Sequence, residues 1–203
     1  LGDHAERGSY DTGLANDVVR PGGTLRQEFD EDLSWMFGYR LPIIAAVNGS
    51  VAGVSFALAC FCDLRFGSAP AKITTAAPKL GLPAEYGLSW TLPRLIGTTR
   101  AADLLLSGRV VTVAESAYWG LWNEVLPDGE ATLDAAVAYG HLLATTTGPR
   151  AVSHAKRQLH EDVLRGDPAA SVAESKELLD TAMGTDEYRE GIAAFLQRRP
   201  PKF

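Results

Sequence analysis

Residues 41–53, reading LPIIAAVNGSVAG, limit what this chain can fold into more than any other stretch. Pro42 disfavours helical backbone at the residue before it, so the chain enters this segment extended. Ile43, Ile44, Ala45, Ala46 and Val47 then form a continuous apolar run, too short for a helix and expected of a strand covered on both faces. Asn48 and Gly49 tolerate positive φ and can turn the chain sharply, and Gly53 leaves room for a ligand to approach the backbone. The following VSFALAC, residues 54–60, reads as a buried helix rich in small residues. A strand, a tight turn and a helix N-terminus aim unpaired N–H groups and the positive end of a helix dipole outward. In an active site this would be an oxyanion hole. Any βα turn of an α/β domain needs similar residues, so the motif alone leaves a purely structural turn open.

Read in order, residues 1–25 are rich in glycine and polar side chains and form a long loop. Phe29, Leu33, Met36 and Phe37 recur at helical spacing and predict one amphipathic helix over residues 26–39. A second strand follows at residues 63–68, and Asp63 at its start fits a buried carboxylate that braces neighbouring backbone. Residues 72–75 form a short strand, and residues 76–86 an irregular loop. That loop carries Glu85, a candidate catalytic acid just before a helix at residues 87–95, where the dipole favours a carboxylate. A capping or solvated glutamate fits the same position. Thr98 is the expected N-cap of a helix over residues 99–107 closed by Gly108. Thr112 and Glu115 form a capping box opening another helix that ends at Gly120. A strand at residues 122–126 precedes helices at 131–145, 149–164, 168–183 and 186–198. His141, His154 and His160 lack metal-ligand spacing and read as packing or surface residues. Trp35, Trp90, Trp119 and Trp122 read as core or interface.

Composition narrows the class. A chain of 203 residues, 46% apolar and 22% charged, suffices for one globular domain with a real core and excludes overall disorder. A formal charge of −6 argues against nucleic acid or an anionic membrane as the main partner. Cys60 and Cys62 lie along an apolar run, which suits reduced, buried thiols better than a disulfide or a metal site. No apolar segment approaches the roughly 20 residues needed to span a bilayer, and no signal peptide is visible, so a cytoplasmic location is expected. Because the chain starts at Leu1 and not Met, a further N-terminal segment is expected.

The motifs IIAAVNGSVAG and ALACFCDLRFGS, the loop LGLPAEYGLSWTLPRLIG, the segment AADLLLSGRVVTVAESAYWGLWNEVLP and the ending EGIAAFLQRRPPKF resemble, in this order, the enoyl-CoA hydratase/isomerase (crotonase) superfamily. The resemblance covers nearly the whole chain. It implies an α/β fold, a crotonase-like ββα superhelix at residues 1–130, N-terminally incomplete, with a C-terminal helical region at 131–203 used in trimerisation. It further implies acyl-CoA thioester substrates, coenzyme A entering only as part of the substrate and no other cofactor, and a homotrimer or dimer of trimers.

Site residues carry over position by position. The family stabilises a thioester enolate with two backbone N–H donors, and loss of one such donor typically costs about 10² to 10³ in rate. One donor position falls on Val54, after Gly53, where the family usually has glycine. The other lies in a segment that would precede Leu1, together with about 60 residues of the family's first strands, an estimate from ordinary domain sizes. The two glutamates of the family's hydratases fall on Ala57 and Ala77, which cannot move a proton. Some isomerases of the family carry an acid further along the loop, and Glu85 matches that position. A single carboxylate there can take a proton from one carbon and return it to another. Arg198 and Lys202 match a basic segment that reaches the nucleotide of a neighbouring subunit. Proton-transfer isomerisation is the expected chemistry, with a non-catalytic acyl-CoA-binding subunit as the alternative.

Overall fold

Pairing in the computed structural model, which describes residues 25–203, starts from the apolar run above. Almost all of the loop expected over residues 1–25 lies outside the described residues. Before the run come a 3-10 turn, Gln27–Phe29, and a short helix α1, Trp35–Gly38. The helix expected over residues 26–39 is therefore broken. Leu33 adopts φ 65° in the left-handed region, which no continuous right-handed helix accommodates. The apolar pattern still does its work, because Phe29, Met36 and Phe37 are buried together with Phe61 and Cys62.

Strand β1, Ile44–Val47, is followed by β2, Val51–Ala52, then helix α2, Val54–Phe61, and β3, Leu64–Ser68. β1 and β3 pair in parallel, with Ile44 opposite Leu64 and Val47 opposite Gly67. A parallel pair cannot be joined by a tight turn, so α2 serves as the crossover. β3 also pairs in parallel with β6, Glu124–Leu126, giving the order β1-β3-β6. A second sheet joins β2, β4 (Lys72–Thr74) and β5 (Val111–Thr112), parallel in the first pair and antiparallel in the second. Phe56, Ile73, Leu88, Leu92, Leu104 and Leu121 are fully buried between these layers. Each such side chain contributes roughly 1.5–3 kcal/mol.

Helices α3, Leu88–Ile96, and α4, Thr98–Ser107, turn about Gly97 at φ 77°. Thr98 lies inside α4 and does not cap it; Gly97 holds the cap position with no side-chain bond. Gly108 ends α4 in the left-handed region, as the sequence predicts. Residues 113–120 form successive turns instead of the expected helix. Thr112 Oγ1 accepts the Glu115 N–H at 3.1 Å, which is half of a capping box, but Arg109 takes the Glu115 carboxylate at 2.8 Å. The box is therefore never closed.

Four predicted C-terminal helices are present as α5 (Gly129–Thr146), α6 (Pro149–Leu164), α7 (Pro168–Met183) and α8 (Asp186–Gln197). Asp128, Asp167 and Thr185 cap α5, α7 and α8 by accepting N–H groups of their first turns. α5 packs on β1 and β3, whereas α7 buries no residue. No described helix is long and apolar enough to cross a membrane.

Candidate active site

Gly53 stands at the head of α2 with φ 54° and ψ −124°, a backbone conformation that L side chains rarely adopt. Neighbours pin it there. The Gly53 N–H donates to Thr74 O at 3.2 Å, and Ser55 Oγ accepts the Ala52 N–H at 3.0 Å while donating to Ala52 O at 2.8 Å. The next N–H, that of Val54, is the first of α2 and forms no hydrogen bond among the described residues. The Val54 side chain is half exposed beside it.

A Cβ built on Gly53 would lie 2.8 Å from Glu85 Oε2. The room left by glycine is thus taken by the Glu85 carboxylate, which the fold brings from a distant loop to the residue before Val54. Glu85 is half-buried, and its carboxylate forms no hydrogen bond among the described residues. Its direction is set by the two residues that follow, Tyr86 at φ 43° and Gly87 at φ 74°. Holding tyrosine in the left-handed region costs roughly 1–2 kcal/mol, so packing around this turn must offset the strain.

The remaining predicted site residues lie elsewhere or are shut in. Ala57 on α2 and Ala77, which opens the 3-10 turn Ala77–Leu80, are both buried and bring no polar side-chain atom to the cleft. Arg198 is exposed at the end of α8 in the left-handed region. The Lys202 N–H donates to Glu190 Oε1 at 2.7 Å, and Arg199 pairs with the same carboxylate at 2.6 Å. The Arg199 hydrogen bonds, then that of Lys202, pull the Glu190 carboxyl down to about 2. The basic tail is therefore folded back onto α8.

Asp63 has the bracing role expected of it, with partners that lie far along the chain. Its Oδ2 accepts the Ile43 N–H at 2.6 Å and the Lys156 ammonium at 2.7 Å, and its Oδ1 meets His160 Nε2 at 2.7 Å. Lys156 also donates to Leu41 O at 2.9 Å, and the His160 ring stacks on Phe37 at 4.3 Å. Burial opposes ionisation of Asp63, but its hydrogen bonds to His160, Lys156 and Ile43 together hold the carboxyl below its ordinary range. The cluster fastens α6 to the start of both central strands. Arg65 is also buried. Its Nε donates to Leu121 O at 2.9 Å, and its Nη1 donates to Ala59 O and Cys62 O at the end of α2. Burial pushes the Cys60 thiol up to about 12 and that of Cys62 up to about 11, so both are inert neutral thiols. No cluster able to hold a metal ion occurs among the described residues.

The two small sheets, the crossover helix with its glycine turn and the C-terminal helices together define a crotonase-like fold. The structure superposes with a TM-score of 0.80 on a probable enoyl-CoA hydratase/isomerase from Mycobacterium abscessus, at 30% identity over 96% of this chain and 73% of that one. A second structure from the same organism, described as a putative enoyl-CoA hydratase/isomerase, gives 0.83 at 28% identity, covering all of this chain and 75% of that one. The family model for enoyl-CoA hydratase/isomerase matches residues 11–203, and the chain belongs to that family. Among curated relatives, a probable enoyl-CoA hydratase of Rhodobacter capsulatus is 32% identical over 88% of this chain and 68% of its own length. The 1,2-epoxyphenylacetyl-CoA isomerase of Escherichia coli is 34% identical over 80% of this chain and 61% of its own. The chain thus spans about two thirds of the curated relatives it matches.

Proposed function

We propose that this chain acts on an acyl-CoA thioester through an enolate, moving a proton with Glu85. The observation that carries the reading is the Glu85 carboxylate lying against Gly53, one residue from the unpaired Val54 N–H. A thioester oxygen placed on Val54 N–H gains negative charge as its α-proton leaves, and the N–H and the α2 dipole strengthen their hold as that charge grows. The electron pair of the C–H bond moves into the enolate, and Glu85 receives the proton. Returning it to a different carbon completes an isomerisation without water. Ala57 and Ala77 offer no second carboxylate for hydration. Relatives named for both hydratase and CoA-ester isomerase activities support the thioester class.

The reading also includes coenzyme A as part of the substrate only, a core at residues 1–130 and an assembly region at 131–203 in a cytoplasmic homotrimer or dimer of trimers. Exposed Leu179, Met183, Phe195 and Leu196 on α7 and α8 support association. The two alanines also favour a second reading, a non-catalytic acyl-CoA-binding subunit. Glu85→Gln in the full-length protein separates them. Lost turnover of enoyl-CoA esters with retained ester binding supports the base; a wild-type protein that binds esters and turns none over supports the binder.

A further inference from the structure

A second cavity shares Tyr86 with the cleft beside Glu85. It measures about 560 Å³, with Phe29, Phe37 and Phe61 among its lining and Trp90 and Gly87 beside them. Tyr86 also lines the cleft of about 270 Å³ that contains Glu85, so one residue borders both spaces. The aromatic wall is locked in place. Phe37 meets Phe29 edge-on at 6.2 Å and packs on Phe61 at 4.9 Å and on Trp90 at 5.8 Å. Arg94 lies 4.0 Å over the Trp90 ring and donates to Trp90 O at 2.9 Å, which fixes the indole. Glycine at 87 keeps the wall back, since a Cβ there would meet Phe61 Cζ at 3.1 Å. Every charged residue among the described lining is acidic: Glu28, Glu31 and Asp32. Arg26 offsets Glu28 at 3.1 Å but does not line the space.

We infer that this cavity receives the far end of the acyl group, and that it favours an uncharged aromatic acyl group over an alkyl chain and rejects one ending in a carboxylate. The inference rests on the acyl-thioester reading above and adds the substrate class to it. The volume lies in the range of small-molecule sites, and a ring can meet Tyr86 and Trp90, the partly exposed aromatics of the lining. Each well-placed ring pair improves binding by about two- to tenfold beyond its area. An acyl carboxylate would lose its hydration and face the exposed Glu31 carboxylate at the rim.

The test is calorimetric binding of phenylacetyl-CoA, hexanoyl-CoA, adipoyl-CoA and free coenzyme A to the full-length protein. Phenylacetyl-CoA is expected to bind at least fivefold tighter than hexanoyl-CoA, and adipoyl-CoA no tighter than free coenzyme A. Trp90→Ala should reduce the phenylacetyl-to-hexanoyl ratio at least threefold. Glu31 is exposed, so Glu31→Lys should fold normally and raise adipoyl-CoA affinity several-fold. Equal binding of the three esters, or no adipoyl gain in Glu31→Lys, overturns the inference while leaving thioester binding in place. Esters that bind no tighter than free coenzyme A overturn it together with the reading beneath it.

Discussion

Asp63 and Glu85 are both carboxylates of one α/β core, and the chain surrounds them in opposite ways. Asp63 is enclosed and meets a backbone N–H, a lysine and a histidine. Glu85 rests on a bare glycine Cα with no hydrogen bond among the described residues. A carboxylate with three of its roughly four lone-pair sites taken can hold two elements together but is poorly placed to take up a substrate proton. One held only by backbone direction and close contact keeps that capacity. Partner number therefore separates the fastening acid from the candidate base more sharply than burial does.

The two acids should differ most in the effect of substitution at Glu85. Glu85→Gln should lower turnover of a cognate enoyl-CoA ester by about 10² to 10⁴, the usual range for loss of a positioned base, while urea unfolding changes by less than about 0.5 kcal/mol. A large loss of stability would show that Glu85 is a fastening residue like Asp63. Lys156→Ala should do the reverse, destabilising the fold by about 3–5 kcal/mol because Asp63 stays buried without its main counter-charge. Thermal unfolding measures this, and an unchanged midpoint would remove the distinction. Gly53→Ala sharpens it from the other side. The new Cβ meets Glu85 Oε2 on a backbone that alanine tolerates poorly, so a loss of about 1–3 kcal/mol should accompany a fall in turnover, with ester binding as the control.

The smallest effect is acid dependence. The Asp63 carboxyl is depressed in the folded state, so its contribution is complete above the unfolded carboxylate value near 4. It is lost as pH falls through the lower folded value. Unfolding free energy should stay level from about pH 7 to 5 and drop below about 4, and that drop should shrink in Asp63→Asn. Glu190 acts in the same direction at the exposed tail, which is why the difference between wild type and the variant is the quantity to read.

Much of this was legible in the residues and much was not, for physical reasons. The run from Ile43 to Val47, the glycine turn and α2 were readable because burial on both faces imposes continuous apolarity, and the C-terminal helices because proline and aspartate mark their starts. Asp63 was readable as a brace, but Lys156 and His160 were not, since a partner on a distant helix leaves no local pattern. The break at Leu33 escaped because apolar spacing reports which side chains go inward, not whether the backbone between them stays helical. The open capping box at Glu115 escaped because Arg109 competes for the same carboxylate. Glu85 stands out by its loop and by family resemblance, while its contact with Gly53 and the aromatic cavity beside Tyr86 arise only from tertiary packing.

Arg65 sits at the opposite end of α2 from this site. Its guanidinium covers carbonyls of the last turn, where the helix dipole is negative. Burial lowers its proton affinity somewhat, yet an arginine stays charged across the whole working pH range. The helix therefore has its negative end neutralised from within by a charge that never titrates, and its positive end faces Val54. The field at the turn is a constant of the fold. A pH profile in turnover, read above about pH 5 where Asp63 still holds the fold, then does not come from the field of this helix.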